Sequence, residues 1–154
     1  MRAILTAALL FAALPASAET LIVGNKGENT VSFIDLASGK EMARSASGAN
    51  PHEVALSPDG ARAAVVNYGG SAIDVYAVPG GERLATWDIA PNARPHGLLW
   101  LADGGLVATA EGSKTLVVID GADGRVVRSI PTEAEGSHMV AVHPSRPRAY
   151  TANM

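Results

Sequence analysis

Cysteine is absent from the sequence, so no disulfide can staple the fold and packing alone must hold it. Aromatic residues make up only 5% of the chain, which argues against a bulky core and for closely stacked sheets of Ala, Val and Gly. The formal net charge is −3 and no Lys/Arg cluster or stripe occurs. Nucleic acid is therefore disfavoured as a partner, because phosphates need a basic footprint. No Gly-rich phosphate loop and no Gly-x-Ser-x-Gly nucleophile turn is present. No apolar run approaches the roughly 20 residues that span a bilayer, so no integral membrane span is expected.

What the N-terminus does have is a short apolar stretch. Arg2 supplies a positive charge, Ala3 to Leu14 is apolar, and Ala16, Ser17 and Ala18 form a small-residue cleavage pattern before Glu19. Residues 1–18 thus read as a secretory signal peptide, and residues 19–154 as the mature part. Export to a bacterial periplasm is the expectation. Loss of Arg2 with the signal makes the mature chain more acidic.

The remainder repeats itself. Leu21 to Arg62, Ala63 to Gly105 and Leu106 to Arg148 share one order of strands and turns, a unit of about 42 to 44 residues. Gly39, Gly81 and Gly124 recur between apolar runs, as hairpin turns with positive φ require. Asn25, Asn67 and Asn153 mark a second recurring point, with Ala110 in the third copy. Ser57-Pro58-Asp59-Gly60 and Leu101-Ala102-Asp103-Gly104 mark a third, and suit type I turns.

Four short strands per unit predict an all-β fold, a β-propeller of four-stranded antiparallel blades with about three blades present. Within a blade, His52 to Ser57 is expected innermost, then Ala63 to Tyr68, Ala72 to Val78 and Glu82 to Ile89 outermost. The next blade repeats this with His96 to Leu101, Leu106 to Glu111, Thr115 to Asp120 and Arg125 to Ile130. The consecutive apolar residues of the inner strands predict cover on both faces. Only three strands, Leu21 to Asn25, Thr30 to Leu36 and Lys40 to Ala46, precede the first full blade, so an inner strand is expected from elsewhere. These residues are read as the N-terminal part of a longer ring, or as one of several chains that close a ring together. Self-association through unpaired strand edges is expected.

Ile22-Val23-Gly24-Asn25, Ala64-Val65-Val66-Asn67 and Tyr150-Thr151-Ala152-Asn153 resemble the Tyr-Val-Thr-Asn signature of the YVTN β-propeller repeats. Thr30 to Gly39 and Val54 to Gly60 resemble that family's second and third signatures. The resemblance covers essentially the whole mature part. It implies a seven-bladed ring, with relatives that include lactonases acting on sugar or muconate lactones, metal-bearing propellers and surface-layer proteins. Ala110 in place of the motif Asn, and Ala77 where Asp35 and Asp120 occur in the neighbouring copies, depart from the pattern. No catalytic residue carries over.

One histidine recurs per blade. His52, His96 and His138 occupy the same place at spacings of 44 and 42, each at the start of the innermost strand. That position faces the rim of a propeller's central channel. Three roles fit such a residue: a structural pin bonding a backbone carbonyl of the next blade, a polar or anionic ligand site, or a metal ligand. Convergence of the rings on one ion is not imposed by the spacing, so no metal and no cofactor is assigned. Glu53 and Arg94 join the three histidines as channel-rim candidates, with Glu111 nearby. His143 is out of phase and reads as a turn residue, and Tyr68, Tyr76, Trp87 and Trp100 read as blade packing. The favoured function is an exported, non-catalytic propeller that binds a small ligand or a protein partner at its channel. A lactonase-like hydrolase using Glu53 and Arg94, and a structural cell-envelope protein, are the alternatives.

Overall fold

Gly39, Gly81 and Gly124 adopt φ of +68°, +73° and +77° in the hairpin turns that join the two outer strands of each sheet. The computed structural model describes residues 19–154, so the expected signal peptide lies outside the described residues. Thirteen strands follow one another: β1 (Thr20–Asn25), β2 (Thr30–Asp35), β3 (Glu41–Ala46), β4 (Pro51–Leu56), β5 (Arg62–Asn67), β6 (Ala72–Ala77), β7 (Arg83–Asp88), β8 (Pro95–Trp100), β9 (Leu106–Ala110), β10 (Thr115–Ile119), β11 (Val126–Pro131), β12 (Ser137–Val142) and β13 (Ala149–Asn153). A single 3₁₀ turn, Glu111–Ser113, separates β9 from β10.

The strands form antiparallel sheets in sequence order. Two are complete blades, β4-β5-β6-β7 and β8-β9-β10-β11. They are flanked by the three-stranded β1-β2-β3 and the two-stranded β12-β13. The inner strands β4, β8 and β12 neighbour one another from blade to blade, and β1, the second-strand equivalent of the first sheet, lies beside β4. This is a partial β-propeller, with blade order and strand bounds within one or two residues of the sequence expectation. The Ser57-to-Gly60 turn closes with the Gly60 N–H donating to the Ser57 carbonyl at 2.8 Å, and its copy closes from Gly104 to Leu101 at 3.0 Å.

Alternation along the second and third strands of a blade drives the stacking. In β5, Ala64 and Val66 face the following blade and join Leu106, Ala108, Ala110 and Val117 in one apolar cluster. Val65 points the other way and joins Val31, Phe33 and Tyr76 against the preceding blade. Burying each Val-, Ile- or Leu-sized side chain contributes about 1.5–3 kcal/mol, so the sheet is held from both sides. Of the full-blade inner strands, β8 is mostly buried, as expected, and β4 is not. β4 is mostly half-buried, with Leu56 50% exposed. No helix among the described residues is long and apolar enough to cross a membrane.

Candidate functional site at the channel rim

Each inner strand breaks its register at the histidine. The pairing slips between Pro51 and Val54, between Pro95 and Leu98, and between Ser137 and Met139. A bulge re-aims a side chain and interrupts the ladder, and here it does so at the same point of three blades. The residue before each bulged strand, Asn50, Arg94 or Gly136, has φ of +54°, +55° or +58°. A left-handed residue followed by a bulge thus delivers each imidazole to the rim.

The rings meet. His52 and His96 have centroids 4.2 Å apart, and His96 and His138 only 3.6 Å, tilted by 35°. Gly97 permits the second approach, since a Cβ there would lie 2.7 Å from the His138 carbonyl oxygen. Thr109 ties the same two strands: its hydroxyl accepts from the Gly97 N–H at 2.8 Å and donates to the His138 carbonyl at 2.5 Å.

A second row of side chains lies against the first. Tyr68, just after β5, sits with its ring centroid 5.4 Å from that of His52 and 5.7 Å from that of His96. Its hydroxyl donates to Glu111 Oε2 at 2.6 Å and receives a hydrogen bond from the Arg94 guanidinium. Arg94 lies over the Tyr68 ring, 4.6 Å from its centroid, and Lys26 Nζ lies 5.0 Å from it. His138 Nδ1 is 2.5 Å from Glu111 Oε1. An ionised carboxylate only accepts, so in this contact His138 Nδ1 is the donor.

Burial raises the proton affinity of Glu111, but the His138 and Tyr68 hydrogen bonds outweigh it and hold the carboxyl below its ordinary value. His96 is 3% exposed, and burial, aided by the neighbouring imidazoles, pushes it below the ordinary histidine value. The Glu111 carboxylate raises the Tyr68 hydroxyl above its ordinary value.

All five sequence candidates border this rim. Glu53 stands 3.5 Å from His52 Nδ1, and Arg94 is within 3.9 Å of Glu111. Two residues change status. Glu111, marginal in the sequence, is the hub of the hydrogen bonds, and Tyr68 is a rim residue rather than blade packing. Their common signal was available: both directly follow the second strand, in phase with Lys26. The pin expectation also changes, because among the described residues no backbone carbonyl accepts from His52, His96 or His138, and His96 Nδ1 is buried without a partner. His143 does sit in a turn, accepting from the Ser145 N–H at 3.2 Å. A cleft of about 430 Å³ beside Arg62 and Asp120, and one of about 690 Å³ between the third sheet and the β12-β13 hairpin, are not lined by the three histidines.

No family model matches the sequence, and no curated protein matches it either. Solved structures do. The Kuenenia stuttgartiensis hydrazine synthase is similar with a TM-score of 0.74 and 26% identity over 81% of this chain and 36% of that one. Dihydro-heme d1 dehydrogenase NirN, solved in complex with DHE, gives a TM-score of 0.71 at 20% identity over 94% of this chain and 32% of that one. Virginiamycin B lyase from Staphylococcus aureus gives 0.67 at 16% identity over 79% and 41%. The chain spans well under half the length of each. What they share with it is the β-propeller fold.

Proposed function

We propose that this chain belongs to an exported, periplasmic β-propeller of the YVTN type that binds a small polar ligand at its channel rim. One observation carries the reading: three imidazoles from three successive blades stack at the rim while a buried nitrogen, His96 Nδ1, has no partner. An unsatisfied buried polar atom costs about 1–3 kcal/mol. A pin would satisfy that nitrogen, whereas a binding site keeps it for the ligand. Arg94 and Lys26 supply positive charge beside the imidazoles, which suits a ligand with carboxylate or phosphate groups.

The test is titration of the protein with phosphate, small carboxylates and sugar lactones while the histidine ring signals are followed by NMR. Replacing His52, His96 and His138 together by Asn should abolish the response while circular dichroism shows the fold retained. A lowered melting temperature with unchanged ligand response would return the histidines to a structural role. Export is tested by N-terminal sequencing of protein from a bacterial periplasm, which should begin at or near Glu19.

The Glu111–His138 contact favours a second reading, a lactonase-like hydrolase. A carboxylate that fixes the tautomer of a histidine prepares its other nitrogen to take a proton from water, and Arg94 could hold a developing oxyanion. Turnover of a sugar lactone, lost in Glu111→Gln but with lactone binding retained, would establish it.

A further inference from the structure

The rim carries more than hydrogen-bonding groups. His96, Glu111 and His138 each offer a ligand atom, and these atoms lie within 4.8 Å of one another. Two of the three are well buried: His96 is 3% exposed and the Glu111 side chain 8%. His96 Nδ1 has no hydrogen-bond partner. Tyr68 occupies Glu111 Oε2, which leaves Oε1 for another partner, at present His138.

We infer that His96, His138 and Glu111 form a binding site for a divalent first-row transition-metal ion, with a coordination position left open toward the channel. This deepens, and rests on, the reading of the rim as a ligand site, and departs from the sequence expectation of no metal. Two imidazoles and one carboxylate suit zinc, cobalt, nickel, copper or iron rather than calcium or magnesium, which prefer oxygen ligands throughout. Imidazole and carboxylate ligands stand at about 2.0–2.2 Å from zinc, so the three groups must draw together around the ion. The stacked rings and the bulged strands already place them side by side.

The proton balance is defined. In the metal-free protein the Nδ1 proton of His138 lies against Glu111 Oε1. On coordination, metal–nitrogen and metal–oxygen bonds replace that hydrogen bond. Where His138 binds through Nδ1, its ring proton moves to Nε2 by way of solvent, and where it binds through Nε2, the Nδ1 proton stays on Nδ1. No oxidation state changes. The ion gives up bound water and retains water at the open position, where a carboxylate or phosphate held near Arg94 and Lys26 can replace it.

His52, Glu53 and His96 form a second group whose ligand atoms also fall within 4.8 Å of one another. It shares His96 and is more exposed, so the His138 side is the one assigned. Substitutions distinguish the two.

The experiment is titration of the chelator-treated protein with Co²⁺, followed by competition with Zn²⁺. Visible d–d absorption that saturates at about one equivalent and is displaced by Zn²⁺ is expected. His96→Asn and His138→Asn should each weaken Co²⁺ binding by about tenfold or more, on the scale by which even outer partners of metal ligands matter. Glu53→Gln should leave it unchanged. If His96→Asn fails to fold, Glu111→Gln provides the same test without removing a buried ring, and its circular dichroism verifies the fold. Absence of Co²⁺ bands, or bands insensitive to Glu111→Gln and His138→Asn, overturns the metal site. Phosphate binding to the metal-free protein that depends on the histidines, with no Co²⁺ bands, overturns the metal while the rim reading stands.

Discussion

Gly97 lies against His138 so closely that a Cβ on the first would stand 2.7 Å from the carbonyl oxygen of the second, and 2.9 Å from the Val140 nitrogen. Backbone on both sides leaves nothing flexible to move aside. Gly97→Ala should therefore push β12 from β8 and cost about 1–3 kcal/mol, the usual range for overpacking. Urea unfolding gives the loss of stability, and the histidine ring signals should show His96 and His138 no longer stacked. An unchanged midpoint would mean that the strands have room to adjust.

A second close relationship holds two blades together. Asp74 is 1% exposed and accepts from the Gly48 N–H at 2.8 Å, Asn67 Nδ2 at 2.9 Å and the Thr86 hydroxyl at 2.5 Å. Asp74→Val strands these donors and should cost on the order of 3 kcal/mol. In the third blade the positions of Asn67 and Asp74 are filled by Ala110 and Val117, an apolar pair in place of a polar one. Asn67→Ala with Asp74→Val should thus cost less than the sum of the single changes, by about 0.5–3 kcal/mol for residues in contact. A double-mutant cycle by urea unfolding measures that coupling, and strict additivity would contradict it.

The blade period, the turn glycines and the in-phase histidines were legible because each is a local requirement. Gly39, Gly81 and Gly124 must reach positive φ, and a repeat places equivalent side chains on equivalent sites. Tyr68 and Glu111 were harder to read, because the repeat puts a different residue at that position in every blade: Lys26, Tyr68, Glu111 and Met154. Their roles arise from contact between neighbouring blades, Tyr68 to Glu111 and Glu111 to His138, which no single unit contains. The bulges were equally hidden, since a one-residue slip in pairing leaves no fixed mark in composition.

The first sheet ends at β1 and the last at β13, and among the described residues neither strand has a partner on its other side. Open edges template further pairing. A fragment of residues 19–154 expressed by itself should associate in a concentration-dependent way. Sedimentation velocity checks this, and a monomer that melts cooperatively at every concentration would contradict it.

Acid should weaken the fold through His96. Burial, and then the adjacent His52 and His138 imidazoles, lower its folded-state proton affinity, while nearby Glu111 and Glu53 act in the opposite sense but less strongly. In the unfolded chain His96 returns to the ordinary value of 6.5, so below that pH the unfolded state binds more protons. The stability contributed by His96 is present above that value and lost as pH falls through the depressed folded value. Glu111 adds a loss of the same sign further down, below its ordinary 4.5, because its folded value is also depressed. Urea midpoints measured from neutral pH down past 4.5 should fall in both ranges. His96→Asn should flatten the decline just below 6.5 and leave the lower one in place. A wild-type midpoint that rises on acidification through the histidine range would show that His96 is protonated more readily when folded, and that the rim holds a cation rather than neutral rings.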